Sequence, residues 1–226
     1  MKILVIEDDR TIIDSIELTF RVGWPDISLI QSRFGKKGIQ MVAEHNPDVV
    51  IVDLGLPDSD GIEVIKNIRL FSNVPILILS VRSSEYDIAK GLEVGADDYI
   101  VKPFKHMELL ARTKSALRHR QQSFVGFSLV EYESVIFDFI QSEVRHNDKR
   151  IALTHTENIL LNYLANNIDR FVSYQGISNV LWGCEFRGST HTIGVYISRL
   201  KKKLQQVNPK INIHNRQNTG YTLPKS

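Results

Sequence analysis

The chain of 226 residues has a single cysteine, Cys184, so it cannot form an internal disulfide. No apolar run approaches the roughly 18 residues that cross a bilayer, and we therefore predict no membrane anchor. Met1-Lys2 leads directly into apolar residues and the acids Glu7-Asp8-Asp9, unlike a signal peptide. Internal repeats and low-complexity tracts are also absent. With 42% hydrophobic and 24% charged residues, the composition predicts a globular, cytoplasmic protein.

Acidic residues are missing after Glu185, although lysines and arginines continue to the end of the chain. Residues 1–120 carry a formal net charge of −2, and residues 121–226 carry +4. The length allows two small domains, and this asymmetry gives them opposite charge. A solvated basic face is one explanation. We favour the other, which is a polyanionic partner for the C-terminal half.

The first half alternates short apolar runs with patterns of helical period. We predict strands at 2–6, 27–30, 49–53, 75–80 and 99–101, and helices at 11–21, 35–44, 62–70, 85–93 and 106–118. Five βα units of this kind predict an α/β fold, a doubly wound, flavodoxin-like parallel sheet of strand order 2-1-3-4-5.

Asp53 is the residue around which this half is arranged. Val49-Val50-Ile51-Val52 reads as a strand buried on both faces, and Asp53 follows where such sheets bind ligands. An aspartate there can be a nucleophile, a metal ligand or a helix cap. In the predicted strand order, Glu7 and Asp8 end the neighbouring strand. Three carboxylates and a backbone carbonyl suit Mg²⁺ rather than zinc.

Two further strands are predicted to end at the same crevice. Ser80 ends one of them and can donate a hydroxyl hydrogen bond, whereas Lys102 ends the other and supplies positive charge. A cation could shield Asp53 from an incoming phosphoryl group, with Lys102 and Ser80 contacting the phosphoryl oxygens.

The motifs together resemble the receiver domain of bacterial response regulators. They are Glu7-Asp8, Asp53-Leu54-Gly55-Leu56-Pro57, Gly61, Ser80, Gly95-Ala96-Asp97-Asp98-Tyr99 and Lys102-Pro103-Phe104. The resemblance implies that Asp53 accepts phosphate from a sensor histidine kinase. It also implies that Glu7, Asp8, Asp53 and the Gly55 carbonyl hold Mg²⁺, that Lys102 contacts the phosphoryl group, and that Ser80 and Tyr99 rearrange. Val81 departs from the small residue usual there and could crowd the site.

The last helix of this half carries complementary charges that can pair across a two-fold axis. Receivers of the OmpR/PhoB family are similar here and dimerise through this surface once phosphorylated. The residues assigned to the interface are Asp97, Asp98, Glu108, Arg112 and Arg118. Pairing within one chain is the alternative. Ile88 replaces a usual basic residue, which removes at least one expected cross-dimer pair.

The second half predicts a small α+β domain. Four short strands with alternating apolar and polar residues are predicted over 127–153. Three helices follow, the first beginning at 154 and the others spanning 174–182 and 190–204. Strands at 211–214 and 221–223 close the chain. Thr154 and Glu157 form a capping-box pattern. With Leu181-Trp182-Gly183, the basic run 195–204 and Gly220-Tyr221, this half resembles the winged helix-turn-helix domain of the OmpR/PhoB family. We predict a receiver at 1–119, a linker at 120–126 and a DNA-binding domain at 127–226.

On the helix 190–204, Ile193, Ile197 and Leu200 recur at core spacing, which leaves the other positions to face a DNA groove. In the wing, Asn218 replaces a usual glycine, and Asn tolerates a left-handed backbone. The residues predicted to contact DNA are His191, Thr192, Tyr196, Ser198, Arg199, Lys201, Lys202 and Arg216.

We therefore predict a two-component response regulator, not an enzyme, whose phosphorylation at Asp53 promotes dimerisation and sequence-specific binding of double-stranded DNA. RNA polymerase is a possible further partner. The segments 53–63 and 74–83 are most similar to KdpE-type regulators of potassium-transport operons, although Gly55 stands where the family usually has Met. The alternatives are a phosphorylation-independent DNA-binding regulator and a Mg²⁺-dependent phosphatase that forms an aspartyl phosphate in turnover.

Overall fold

The computed structural model describes residues 1–121, 128–182 and 190–225, with the backbone alone at 118–121. The chain divides into two compact units, Met1–Leu117 and Arg118–Ser226. Each unit has its own sheets and helices.

Strands and helices alternate along the first unit. The strands are β1 (Lys2–Ile6), β2 (Ser28–Ser32), β3 (Val49–Val52), β4 (Ile76–Ser80) and β5 (Asp98–Val101). The helices are α1 (Arg10–Gly23), α2 (Gly35–His45), α3 (Gly61–Arg69), α4 (Glu85–Glu93) and α5 (His106–Gln121). All neighbouring strands are parallel, in the order β2-β1-β3-β4-β5. The predicted doubly wound sheet is confirmed.

The central strands are apolar because helices cover both faces of the sheet. Every residue of β3 and β4 is buried, and in β1 only Lys2 is not fully buried. Phe20 of α1 and Leu109 of α5 pack with residues of the sheet in one core cluster. Polar side chains lie at the carboxyl ends of the strands, and this edge holds the candidate site.

The second unit begins with a four-stranded antiparallel sheet in sequential order. Its strands are β6 (Leu129–Tyr132), β7 (Val135–Asp138), β8 (Glu143–His146) and β9 (Lys149–Ala152). The helices are α6 (His155–Ala165), α7 (Tyr174–Trp182) and α8 (Thr190–Val207). A second sheet of order β10-β12-β11 contains β10 (Val172–Ser173), β11 (His214–Arg216) and β12 (Gly220–Thr222). This arrangement confirms the predicted winged-helix fold class.

Among the differences from the prediction are two element boundaries and one strand that the sequence did not predict. Helix α5 continues through Gln121, so the first two residues of the linker predicted at 120–126 are helical, and the rest of that linker lies outside the described residues. The strand predicted at 211–214 begins only at His214, and Ile211 and Ile213 before it are buried. Strand β10 was missed, since two residues are too few to show alternation.

Within the described parts of the chain, no helix is both long and apolar enough to cross a bilayer.

Gly220 begins β12, the central strand of the wing sheet. Its φ is +148°, and a Cβ atom there would lie 1.9 Å from the carbonyl oxygen of Val172. A side chain at this position would therefore strain the backbone and separate β10 from β12.

We expect Gly220→Ala to destabilise the second unit by about 2 kcal/mol or more, measured by thermal unfolding of the full chain. Gly194→Ala is the matched control, because its Cβ would meet only the Tyr221 hydroxyl, at 3.8 Å. Alanine in the interior of α8 should stabilise by about 0.5–1 kcal/mol. Equal effects of the two substitutions would contradict this account of the wing.

Candidate functional site

Three carboxylates meet at the carboxyl edge of the parallel sheet. Glu7 and Asp8 follow β1, and Asp53 follows β3, whose Val52 is paired with Ile6. Potential ligand oxygens of the three lie within 4.8 Å of one another. The Glu7 side chain is 2% exposed and that of Asp53 is 12% exposed. The site predicted from strand ends is thus assembled in space.

Lys102 places its ammonium between two of these acids. Its Nζ lies 2.6 Å from Glu7 Oε2 and 2.8 Å from Asp53 Oδ2. Burial would lower the pKa of Lys102, but the hydrogen bonds and charges of Asp53 and Glu7 outweigh it, so the pKa is raised. Burial raises the pKa of Glu7 despite Lys102. One ammonium among three acids leaves the crevice electronegative when all are ionised.

The loop after β3 folds back beside Asp53. The Gly55 N–H donates to Asp53 Oδ1 at 3.2 Å, and Gly55 forms an isolated bridge with Asp60. Asp60 caps α3 by accepting from the Ile62 N–H at 3.0 Å. A Cβ atom at Gly61 would lie 2.3 Å from the Asp53 carbonyl oxygen, which explains glycine at this position.

Ser80 and Tyr99 both contact the backbone of Arg82. The buried Ser80 Oγ accepts from the Arg82 N–H at 3.3 Å, and the Tyr99 hydroxyl donates to the Arg82 carbonyl at 2.7 Å. Burial is the main reason that the pKa of Tyr99 is raised. Val81 is 73% exposed, so its side chain is directed largely to solvent.

Four of the residues predicted for a dimer interface, Asp97, Asp98, Glu108 and Arg112, form pairs inside the first unit. Arg112 Nη1 donates to both Asp98 oxygens at 2.8 and 2.9 Å, and its Nε donates to Glu108 at 3.0 Å. Asp97 is buried and pairs with Arg69 at 2.7 Å. The structure therefore places Asp97 within the unit rather than on an exposed face. The Arg118 side chain lies outside the described residues.

Helix α8 shows which predicted DNA contacts are exposed. His191, Ser198 and Lys202 are exposed and share one helical face, whereas Thr192 and Lys201 are half-buried. The prediction that Tyr196 and Arg199 face DNA is wrong, because Tyr196 is 0% and Arg199 8% exposed. The Tyr196 ring packs against Trp182 with ring centroids 6.0 Å apart.

Arg199 is buried because a buried acid lies beside it. Glu157, 0% exposed, has Arg199 Nη2 at 3.1 Å and Lys203 Nζ at 2.7 Å. The same carboxylate accepts from the Thr154 N–H at 2.8 Å in the predicted capping box. Glu157 thus joins the start of α6 to α8. The capping-box pattern predicts the hydrogen bonds between Thr154 and Glu157. It carries no signal that Glu157 also pairs with Arg199 and Lys203.

The wing turn has the predicted backbone. Asn218 has φ 58°, in the left-handed region, and the Thr219 N–H donates to the Arg216 carbonyl at 3.0 Å. The exposed Arg216 lies with its guanidinium 4.3 Å from the centroid of the Phe171 ring. This cation–π contact holds Arg216 on the wing surface.

Two family models match the chain. Residues 3–114 match "Response regulator receiver domain", and residues 148–223 match "Transcriptional regulatory protein, C terminal". The KDP operon transcriptional regulatory protein KdpE of Escherichia coli is 33% identical over 204 residues, which cover 90% of each chain. The chain belongs to the OmpR/PhoB family of response regulators. It therefore combines a receiver with a DNA-binding domain and is a transcription regulator.

Solved structures agree with this family. The OmpR/PhoB homologue DrrB of Thermotoga maritima is 26% identical, with a TM-score of 0.52 and coverage of 99% of this chain and 98% of that one. A cysteine-to-serine mutant of RitR is 24% identical, with a TM-score of 0.80 and coverage of 100% and 99%. At that identity, the second likeness shows the fold alone.

We expect Arg199→Ala to destabilise the DNA-binding domain by roughly 3 kcal/mol, because it leaves the buried Glu157 carboxylate with one cation fewer. Lys202→Ala is the matched control, since Lys202 is exposed on the same helix. It should leave the melting temperature unchanged and lower the salt dependence of DNA binding by about one phosphate contact. Thermal unfolding and salt titrations of DNA affinity measure both effects. A destabilised Lys202→Ala beside a stable Arg199→Ala would refute the assignment.

Proposed function

We propose that Asp53 accepts a phosphoryl group from a sensor histidine kinase, and that the phosphorylated receiver dimerises and places two DNA-binding domains on an operator. The observation that carries the proposal is the Asp53 carboxylate beside the Lys102 ammonium, at 2.8 Å, among two further acids at the sheet edge. KdpE is named for the KDP operon. We propose an operon of that kind, for potassium transport, as the target.

The transfer uses Asp53 as the nucleophile. One of its carboxylate oxygens attacks the phosphorus of a phosphohistidine, and the bond from phosphorus to the imidazole nitrogen breaks, with its electron pair left on nitrogen. The product is an aspartyl phosphate and a histidine that takes up a proton. Lys102 balances the charge of the phosphoryl oxygens, and Ser80 donates its hydroxyl hydrogen to one of them.

The donor set at the crevice fits Mg²⁺. Carboxylates and a backbone carbonyl are oxygen ligands, and the three acids have ligand oxygens within 4.8 Å of one another. Glu7, Asp8, Asp53 and the Gly55 carbonyl would hold the ion. When bound, it supplies positive charge that favours the phosphoryl group beside Asp53.

Tyr99 couples the phosphoryl site to the proposed dimer surface. Its hydroxyl contacts the Arg82 backbone, and Ser80 contacts the same residue. A Ser80 hydroxyl drawn towards a phosphoryl oxygen would leave the Arg82 N–H and change the surroundings of Tyr99. The strand of Tyr99 also contains Asp98, whose partner Arg112 lies on α5. We retain Asp98, Glu108, Arg112 and Arg118 as the proposed interface and leave out Asp97, because its partner Arg69 lies on α3 rather than on α5.

Two surfaces of the DNA-binding domain support the DNA part of the proposal. His191, Ser198 and Lys202 lie exposed on α8, and Arg216 is exposed on the wing. A helix face of this kind reads base edges and holds phosphates, whereas a wing cation suits the minor groove. Dimerisation would raise the local concentration of the second domain once the first is bound.

Asp53→Asn and Asp53→Ala should abolish labelling by acetyl phosphate and Mg²⁺, because neither side chain is a carboxylate nucleophile. Intact mass spectrometry of the full chain measures the adduct. Asp60→Asn is the control: asparagine also caps helices, so the fold and the labelling should persist.

The same reaction separates the proposal from its alternatives. A stable adduct with one phosphate supports a regulator. Steady release of inorganic phosphate would indicate a phosphatase, and absence of any reaction in the wild type would indicate phosphorylation-independent DNA binding.

The phosphoryl group should be long-lived because two flanking positions cannot orient an attacking water. Gly55 has no side chain, although a Cβ there would meet only Asp53 Oδ2, at 3.9 Å. Arg82 has no acceptor, and its Nη1 lies 3.6 Å from Asp60. CheY-type receivers, by resemblance, place polar side chains at these two positions.

We expect Gly55→Asn to shorten the lifetime of the phosphorylated protein about tenfold or more, since the open position accepts a polar side chain that can orient water. The measurement is the decay of the adduct in excess Mg²⁺ after removal of the donor. Gly55→Ala should keep the slow decay, because its methyl group offers no hydrogen bond. A wild-type lifetime of seconds, or equal decay in Gly55→Asn, would rule out the explanation.

A further inference from the structure

The segment Ser32–Lys36, which joins β2 to α2, contacts both acid-bearing loops of the receiver. One is the β1–α1 loop with Glu7 and Asp8, and the other is the β3–α3 loop with Asp53 and Gly55. Residues of Ser32–Lys36 are not themselves candidate ligands. Hydrogen bonds from this segment nevertheless reach the backbone of two candidate ligands, Glu7 and Asp8.

Towards the β1–α1 loop, the segment holds the backbone of both acids. The Glu7 N–H donates to the Ser32 carbonyl at 3.0 Å. Arg33 donates to the Asp8 carbonyl from Nε at 3.3 Å and from Nη2 at 3.1 Å. A guanidinium fork that binds one oxygen with two N–H groups fixes direction as well as distance.

Towards the β3–α3 loop, the contact is made by Asp58. Its two oxygens accept from the Gly35 N–H at 2.7 Å and from the Lys36 N–H at 3.1 Å. The N-cap residue Phe34 makes no side-chain cap bond, so Asp58 caps α2 from a distant loop. A Cβ atom at Gly35 would lie 2.2 Å from Ser59 Oγ. The loop and the helix end are therefore closely packed.

The charge of Asp58 suits this role. Partial burial alone would raise the pKa of Asp58, but the N–H groups of Gly35 and Lys36 lower it on balance. An ionised carboxylate at the start of a helix is favoured by the helix dipole. Both carboxylate oxygens of Asp58 therefore bind the start of α2.

We propose that the segment Ser32–Lys36 fixes the spacing of the two acid-bearing loops for divalent-cation binding, with Arg33 and Asp58 as positioning residues. This inference rests on the proposed function, because it assigns a role towards the metal site of the phosphoacceptor. Groups behind metal ligands commonly change metal affinity by about 10- to 100-fold. We expect the lower end of that range, since the Arg33 contact is exposed.

Charge and position predict opposite results for Arg33. A cation near a cation site repels the metal, so removal of Arg33 by charge alone would strengthen binding. If Arg33 holds the Asp8 backbone, its removal weakens binding. Arg33→Lys keeps the charge but loses the fork, so it weakens binding only if position matters.

The experiment titrates the unphosphorylated full chain with Mn²⁺, which takes the same oxygen ligands as Mg²⁺, and follows free Mn²⁺ by electron paramagnetic resonance. Arg33→Ala and Arg33→Lys should each weaken binding about tenfold. Lys37→Ala is the charge control, because Lys37 is 52% exposed on α2 and pairs with Glu44 at 3.6 Å. It should not weaken binding.

Substitutions of Asp58 provide a second, independent set of variants for the Mn²⁺ titration. Asp58→Ala should weaken Mn²⁺ binding more than Asp58→Asn, which keeps one acceptor for the start of α2. Thermal unfolding is recorded for every variant, and binding is measured well below the lowest melting temperature. Unchanged binding in both Asp58 variants would overturn the role of Asp58.

Two kinds of failure are distinguishable. If the wild type binds no Mn²⁺, or if Asp53→Ala binds it equally well, the proposed phosphoacceptor site fails. If binding depends on Asp53 but Arg33→Ala strengthens it and Arg33→Lys leaves it unchanged, only the positioning inference fails.

Discussion

The receiver depends on one ammonium group among acids that would otherwise repel one another. Lys102 contacts Glu7 at 2.6 Å and Asp53 at 2.8 Å in a place where all three side chains are largely buried. Removal of one partner from a buried pair usually costs several kcal/mol, because the other charge stays uncompensated. Loss of the Lys102 ammonium would therefore leave both carboxylates uncompensated. The phosphoryl group that we propose on Asp53 would add negative charge beside Lys102, and Ser80 and Tyr99 would respond to that change.

The receiver could be predicted from sequence because its signals are local. A run such as Val49–Val52 predicts a strand buried on both faces, and the strand order then brings Glu7, Asp8 and Asp53 to one edge. The contacts of Arg33 and Asp58 could not be predicted in this way. Each joins loops that are about 25 residues apart in the chain, and exposed polar residues of that type occur in many loops without such partners.

The DNA-binding helix shows where prediction from helical spacing fails. Helical spacing identified Ile193, Ile197 and Leu200 as core residues, but it assigned Tyr196 and Arg199 to the exposed face. A tyrosine and an arginine can both be buried when a partner accepts their polar ends. The partner of Arg199 is Glu157, 42 positions earlier in the chain. Periodicity describes one helix at a time and carries no information about such a partner.

The pairing of Arg199 with Glu157 means that the net charge overstates the positive charge available for DNA binding. The chain after Glu185 contains eight lysines and arginines and no acid, which by itself suggests a uniformly cationic surface. Arg199 and Lys203, however, compensate Glu157. A salt dependence of DNA binding that reports phosphate contacts should thus follow the exposed cations, which among the described residues after Glu185 are Lys202, Lys210, Arg216 and Lys225. Some of the cations after Glu185 therefore attach α8 to α6. Only the other cations are available to a polyanion.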